Sequence, residues 1–397
     1  MARGVNALVK PELLVWARES AGYTIPDAAQ KAHVKAQDLM LWESDIGHPS
    51  IPQLRKLANV YKRPLAAFFL PAPPTTPAPL HDFRRLPADM THALSPELLL
   101  EMRRARRRRG VALELLDELD QPVPELALRG SIDVDPDALA AGIRAWLRVS
   151  LDEQSRWTGD YDALNGWIAA FERQGVIVFQ TGDVSLDEMR GFSLNERRLP
   201  VIVLNAKDRP RGRVFTLMHE CVHVITSRGG VCDPLRIGRQ AQNPDEQVEV
   251  FCNRVAGAAL VPADALLNHP RVIRAQGPRE WEDDTIQVLA EHFAVSREVI
   301  LRRLLILDRT TDEFYEQKRE EYLAQYRLAD ERARGRPVPV PFFRLALRDN
   351  GRRYTGLVLD ALERERITLA DVSDYLGVRL KHLDAIAGGL ERAERQE

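Results

Sequence analysis

Two histidines four residues apart, with a glutamate directly after the first, constrain this chain more than any other feature. The segment reads His219-Glu220-Cys221-Val222-His223. In a helix, residues four apart lie on one face, so both imidazoles can reach one ion. Neutral imidazole is a common ligand of Zn²⁺, and the glutamate lies about 100° around the helix, where it can accept a proton from water without ligating the metal. The pattern predicts a metal-binding helix from about Arg213 to Thr226.

A second predicted helix, at about Glu246–Leu260, carries a further carboxylate. Glu249 follows His223 by 26 residues, and Asn253 lies one helical turn after Glu249. A catalytic zinc usually has three protein ligands and one open position. Glu249 can supply the third ligand. Asn253 can orient a ligating histidine through the imidazole nitrogen that faces away from the metal.

Three short runs before the metal helix predict a small sheet, at Val176–Gln180, Gly191–Leu194 and Leu199–Leu204. The last run is predicted as an edge strand beside the metal helix, where an extended peptide could pair with it. Most of the remaining chain has helical periodicity. The predicted fold class is therefore mainly α with a small β-sheet (α+β).

These pieces together resemble the ImmA/IrrE-type zinc metallopeptidases. The matching segments are LPVIVLNA for the strand, FTLMHECVHVI for the metal helix and EVFCNRVAGAALVP for the second helix. The resemblance covers about residues 160–310 and implies a zincin-like metallopeptidase domain. It assigns His219, His223 and Glu249 to the metal and Glu220 to the role of general base. Known members cleave or inactivate a repressor of the Xre type, and other proteins of this architecture resemble antitoxins of two-gene toxin systems.

Residues 1–70 resemble an Xre-type helix-turn-helix domain, which such peptidases commonly carry. Lys35 and Gln37, at the start of the predicted recognition helix, are the predicted contacts to operator DNA. Met40 and Leu41 are poor readers of bases, and residues 1–70 carry only nine cations against six acids. A homodimer would double weak DNA contacts. The alternative for the same helix is docking to a protein, either a repressor or a toxin.

One spacing recurs three times along the chain. A small residue is followed five positions later by an apolar residue and ten positions later by a second apolar residue. The copies are Ala29/Val34/Leu39, Ala290/Val295/Ile300 and Ser373/Val378/Leu383. This spacing is typical of a helix-turn-helix core, and ordinary helical hairpins share it.

Proline-rich stretches mark the predicted boundaries. Half of residues 71–80 are proline, which predicts a semi-stiff linker, and a second such stretch lies at residues 335–341. The predicted organisation is a helix-turn-helix domain at 1–70, the linker at 71–80, a helical connector at 81–160, the metallopeptidase domain at 161–310 and a helical C-terminal region with a helix-turn-helix-like unit at 311–397.

Composition excludes several classes of protein. The 56 Lys and Arg residues nearly balance the 58 Asp and Glu residues, which argues against a protein that coats nucleic acid or membrane with its whole surface. Three cysteines without a CxxC pair are not a disulfide framework, and Cys221 and Cys252 are predicted to pack in the core. No apolar run approaches the roughly 18 residues needed to span a bilayer, and the N-terminus lacks a signal-peptide pattern. These features predict a soluble, cytoplasmic protein.

Three other sets of side chains have predicted roles. Six arginines within residues 103–109 are predicted to form the solvated face of a long helix, in preference to a phosphate-binding surface. Tyr161 and His292 are considered as stabilisers of an oxyanion, although a structural role is favoured for each.

Two functions compete. The first is a zinc-dependent regulatory endopeptidase that acts on an Xre-type repressor and is coupled to a DNA- or partner-binding helix-turn-helix. The second is a non-enzymatic regulator, an antitoxin that binds its toxin and operator DNA and keeps the metallopeptidase fold for stability. The substitution Glu220→Gln separates them, because it removes the base and spares the ligands.

Overall fold

The structure is a computed structural model that describes residues 5–74, 81–82, 94–227, 230–232, 244–275, 277–334 and 340–394. Parts of both proline-rich stretches, residues 75–80 and 335–339, lie outside these ranges. The chain divides into two compact units. The first comprises residues 1–80 and 85–104, and the second comprises residues 81–84 and 105–397.

The first unit is built from short helices. They are α1 (Pro11–Glu19), α2 (Ile25–Ala32), α3 (Ala36–Glu43), α4 (Ile51–Tyr61), a 3-10 helix (Leu65–Phe69) and the first residues of α5 (Pro96–Glu118). Proline in the first turn begins α1, α2 and α4, while Thr24 and Ser50 cap α2 and α4 through their side-chain oxygens. The apolar faces of α1 to α4 meet in one core around Leu14, Leu39 and Leu54.

The turn between α2 and α3 has the geometry of a common helix end. His33 closes α2 in the left-handed conformation, with φ +52°. A backbone N–H to C=O bond between residues five apart occurs in all three copies of the recurring spacing and at other helix ends: Val34 to Ala29, Val295 to Ala290, Val378 to Ser373, Arg63 to Ala58 and Arg309 to Leu304. Because this bond closes many helices through a left-handed residue, the recurring spacing does not by itself identify a helix-turn-helix.

A five-stranded sheet lies in the second unit, in the order β1-β5-β3-β4-β2. The strands are β1 (His81–Asp82), β2 (Ile177–Thr181), β3 (Gly191–Leu194), β4 (Val201–Asn205) and β5 (Gly230–Cys232). β4 pairs in parallel with β2 and antiparallel with β3, so the prediction of an edge strand at Leu199–Leu204 is wrong. An apolar strand that is buried on both faces has the same sequence pattern whether one or both of its edges are paired.

Helices surround this sheet, and the fold is mainly α with a small sheet, as predicted. They are α6 (Pro136–Leu147), α7 (Leu151–Ser155), α8 (Asp160–Arg173), α9 (Pro210–Ile225), α10 (Pro244–Leu260), α11 (Ala263–Leu267), α12 (Asp283–His292), α13 (Arg297–Ile306) and α14 (Asp312–Arg334). α9 packs against α8, α10, β3 and β4, and each of its residues from Arg213 to Ile225 is buried. Within the described ranges, no helix is both long enough and apolar enough to cross a membrane.

The C-terminal helices cover β2, the last strand of the sheet. They are α15 (Phe342–Asn350), α16 (Arg352–Glu363), α17 (Leu369–Leu376), a 3-10 helix (Leu380–His382) and α18 (Leu383–Glu394). Gly351 joins α15 to α16 with φ +70°, and a Cβ at this position would lie 2.4 Å from the carbonyl oxygen of Val178. Tyr354 packs edge-on against Phe179, with ring centroids 5.6 Å apart. Glycine therefore permits the close approach of this joint to β2.

The arginine run on α5 holds neighbouring elements together. The Arg109 Nε donates to the Leu199 carbonyl at 3.0 Å, and the Arg108 guanidinium donates to the Asp349 carbonyl. Arg107 forms an ion pair with Asp374. The prediction of a solvated face is therefore wrong for Arg108 and Arg109, whereas the side chain of Arg107 is 61% exposed. The guanidinium fork bonds backbone carbonyls, and sequence periodicity does not reveal such partners.

Candidate metal centre

Two adjacent helices bring the predicted ligands together. α9 carries His219 and His223 one turn apart, and α10, packed beside it, carries Glu249. The Nε2 atoms of the two histidines are 3.1 Å apart. The Oε2 of Glu249 lies 3.2 Å from the Nε2 of His219, and its Oε1 lies 3.0 Å from the Nε2 of His223. All three side chains are fully buried.

This geometry fits a tetrahedral zinc ion. Bonds of about 2.0–2.1 Å to a tetrahedral Zn²⁺ place neighbouring ligand atoms about 3.3 Å apart. The two Nε2 atoms, 3.1 Å apart, are close to this separation, and each lies 3.0–3.2 Å from one of the two Glu249 oxygens. Two imidazoles and one carboxylate are also the donor set of a well-known class of catalytic zinc sites. His219, His223 and Glu249 can therefore hold one metal ion.

Side chains behind the histidines set their orientation. The Oδ1 of Asn253 lies 3.0 Å from the Nδ1 of His219. An amide oxygen only accepts, so this contact places a proton on Nδ1 and makes Nε2 the nitrogen that faces the other ligands. On the other histidine, Nδ1 lies 3.9 Å from the Sγ of Cys252. Cys252 and Cys221 are both buried, as predicted, and burial raises the pKa of each thiol.

The carboxyl group of Glu249 is held in its ionised form. Burial opposes ionisation, but the charge and hydrogen bonds of the two histidines outweigh burial and hold the pKa of Glu249 well below its ordinary value. An ionised carboxylate is the form that binds a metal cation.

Glu220 lies in a different environment. It is fully buried, and neither of its carboxylate oxygens makes a hydrogen bond. Burial raises the pKa of Glu220 above its ordinary value, against the opposing effects of His223, His219 and Ser193. Buried carboxyl groups without partners are rare in folded proteins and require an explanation. A role in exchanging a proton with a reactant would explain why the Glu220 carboxyl group is buried without a partner.

β3 lies directly against α9 beside Glu220. A Cβ on Gly191 would lie 2.5 Å from the Cγ2 of Thr216 and 3.4 Å from the Cγ of Glu220. Two residues further along β3, the hydroxyl of Ser193 is fully buried and makes no hydrogen bond. Sequence reasoning missed Ser193, because a single serine in a short strand carries no distinguishing pattern.

Other predicted residues lie elsewhere. Tyr161 is 62% exposed, and its ring packs against the guanidinium of Arg213. His292 ends α12, where its ring contacts that of His269. In the first unit, Lys35 and Gln37 are exposed at the start of α3.

A cavity of about 1120 Å³ lies beside the first half of α9. Phe215 and Thr216 contribute to its wall, and the ring centroid of Phe215 is 6.4 Å from that of His219. The wall also carries six cationic and four acidic side chains: Arg190, Lys207, Arg209, Arg211, Arg297, Arg302, Asp160, Asp187, Asp208 and Glu298. Among the described residues, the three potential ligands and Glu220 do not line this cavity, which is separated from them by about one helical turn.

The centre has HExxH on one buried helix, a glutamate on the next and a small sheet alongside, and this ligand pattern is similar to that of zinc metallopeptidases. Residues 172–305, about a third of the chain, match the family model of the IrrE N-terminal-like domain. This span runs from the end of α8 to α13 and includes the sheet strands β2 to β5 and both metal helices. It supports a peptidase domain similar to those of IrrE and ImmA. No curated protein matches the chain.

Proposed function

We propose that this protein is a zinc-dependent endopeptidase that cleaves a repressor of the Xre type. The observation that carries the proposal is the pairing of a tetrahedral ligand set with a buried, unpartnered Glu220. A structural zinc site is usually closed by four protein ligands. Here three ligands of the type found in catalytic sites are accompanied by a carboxylate that is not needed as a ligand.

In this mechanism Glu220 moves the proton. Zinc, when bound, supplies Lewis acidity, which lowers the pKa of a water at its open position and polarises the scissile carbonyl. Glu220 accepts the proton of the attacking water and delivers it to the amine that leaves. Its raised pKa favours this transient protonation. Asn253 keeps His219 in the tautomer that binds metal, and burial excludes bulk water from the reacting groups.

The repressor is proposed to bind along the cavity beside α9. This surface approaches the metal ligands through Phe215 and Thr216 and contains both charged and apolar side chains. The first unit is proposed to bring the peptidase to its target, by contacts of Lys35 and Gln37 with operator DNA or by docking of α3 to the repressor itself. Met40 on the same helix is 53% exposed, and its thioether offers DNA neither a cation nor a hydrogen-bond donor, which favours a protein contact.

The test combines metal analysis with cleavage. Purified full-length protein, prepared without chelators, is expected to contain about one zinc per chain, and His219→Ala is expected to lose it. Each Xre-type repressor encoded in the same genome is then incubated with the wild type and with Glu220→Gln. We expect the wild type to cleave one of these repressors, and Glu220→Gln to bind zinc normally and cleave none.

Two results would overturn the proposal. One is a protein that contains no stoichiometric zinc. The other is regulation in cells that survives Glu220→Gln, which is the outcome expected of the non-enzymatic antitoxin.

A further inference from the structure

Three buried oxygen atoms next to the metal ligands have no hydrogen-bond partner. They are the hydroxyl of Ser193 and both carboxylate oxygens of Glu220. Both side chains are 0% exposed, so bulk water does not satisfy them. Because unpaired buried polar groups destabilise a fold, three of them in one place require a reason outside folding.

The backbone places the Ser193 side chain on the same face of β3 as Gly191, since side chains two residues apart in a strand point the same way. At Gly191 this face meets α9, because a Cβ there would lie 3.4 Å from the Cγ of Glu220. Ser193 is also close enough to lower the pKa of Glu220. The hydroxyl and the carboxylate are therefore neighbours whose hydrogen bond has not formed with normal geometry.

The neighbour of Ser193 across the sheet is apolar. On β4 its partner is Ile202, and the strands on that side are buried throughout. An alanine at position 193 would fill the same backbone site without burying an unpaired hydroxyl. The hydroxyl therefore does not serve the packing of the sheet.

We propose that Ser193 is a positioning residue for Glu220. In the zinc-loaded protein its hydroxyl rotates to donate a hydrogen bond to one carboxylate oxygen, and this bond holds the other oxygen toward the water that reacts at the metal. The inference rests on the proposed peptidase function. It adds a residue on β3 to a mechanism whose other groups all lie on α9 and α10.

The experiment compares two variants of buried hydroxyls in the full-length zinc-loaded protein. In Ser193→Ala the unpaired hydroxyl is removed. In Thr355→Val the removed hydroxyl is one that donates to the Gly351 carbonyl at 2.7 Å, in the C-terminal helices. For each variant we measure the zinc content, kcat and KM for the repressor that the wild type cleaves, and, after the zinc is removed, the Tm.

We expect opposite patterns. Ser193→Ala is expected to keep its zinc and KM, to keep or raise its Tm, and to lose kcat by about 10- to 100-fold, a part of the 10²–10⁴-fold that proton transfer contributes. Thr355→Val is expected to lower the Tm and leave kcat unchanged, because it removes a formed bond away from the site. A purely structural role for Ser193 would not lower kcat while leaving the stability undiminished.

The two proposals fail in different ways. If the wild type cleaves a repressor and Ser193→Ala cleaves it with the same kcat, the role of Ser193 is refuted while the peptidase function stands. If Ser193→Ala lowers the Tm as Thr355→Val does, the hydroxyl serves the fold and the inference is overturned, whether or not activity is found. A zinc-loaded wild type that cleaves no repressor refutes the proposed function, and the role of Ser193 in it.

Discussion

Replacing Asn253 by alanine tests the metal centre through a side chain that does not contact the metal. The Asn253 amide lies 3.0 Å from the Nδ1 of His219, and its residue is only 4% exposed. Water does not replace the amide in such a site, so the imidazole loses its orientation. Losing a partner of this kind typically lowers metal affinity by about 10- to 100-fold, or about 1.4–2.7 kcal/mol.

The lower zinc affinity also reduces the amount by which zinc stabilises the folded chain. At a free zinc concentration about 100 times the wild-type Kd, binding stabilises the folded chain by about 2.7 kcal/mol. At that concentration a tenfold weaker site contributes about 1.4 kcal/mol, and a hundredfold weaker site about 0.4 kcal/mol. Chemical unfolding with and without zinc measures this gain, and competition with a chromophoric chelator measures the affinity directly.

Two variants serve as controls for Asn253→Ala. Asn253→Asp keeps an acceptor for the His219 proton and is expected to keep its zinc affinity. Asn205→Ala removes another buried amide, one that donates to the carbonyls of Val184 and Met189. It is expected to destabilise the zinc-free and zinc-bound forms equally and to leave zinc affinity unchanged. Zinc affinity of Asn253→Ala within twofold of the wild type would refute the reasoning.

Three further outcomes are expected. Gly351→Ala forces a Cβ to within 2.4 Å of a carbonyl oxygen of β2 and should lower the free energy of unfolding by about 2–5 kcal/mol in urea titrations. Gly356→Ala, whose Cβ would make an ordinary van der Waals contact with Leu390 at 3.7 Å, should be neutral or stabilising, and equal effects would contradict this. Glu43→Ala breaks a largely buried ion pair with Arg18 that contains three hydrogen bonds, and it should destabilise the first unit by about 2–3 kcal/mol, measured as faster amide hydrogen exchange there. Unchanged exchange would be inconsistent with this role. In zinc-free protein, the lowered pKa of Glu249 contributes stability that is complete above about pH 4.3, its unfolded value, and is lost as the pH falls through the lower folded value. The difference in Tm between the wild type and Glu249→Gln should therefore shrink on acidification below about pH 4, and a constant difference would show that this linkage is absent.

Local signals predicted most of the elements that form the site. Proline at position 210 begins α9 three residues before the predicted start, and α10 ends at Leu260 as predicted. β3 has its predicted bounds, Gly191–Leu194. These successes share one cause, since helix periodicity and strand composition depend on residues close together in the chain.

Long-range pairing was the main source of error. The interior position of β4 depends on β2, β3 and their hydrogen bonds, which its own apolar sequence does not specify. The arginines of α5 bond carbonyls that lie up to 241 residues away in the sequence. A charged run with such partners has the same composition as a solvated one.

The sequence by itself determined that His219 and His223 share one helix face and that Glu249 and Asn253 share another, because the 3.6-residue turn of the helix requires it. Only the tertiary structure decided that these two faces meet at ligand distances, that Asn253 contacts His219, and that β3 places Ser193 beside Glu220. Each of these contacts depends on how α9, α10 and the sheet pack together. Packing is set by the fit of many side chains at once, and no local pattern along the chain records it.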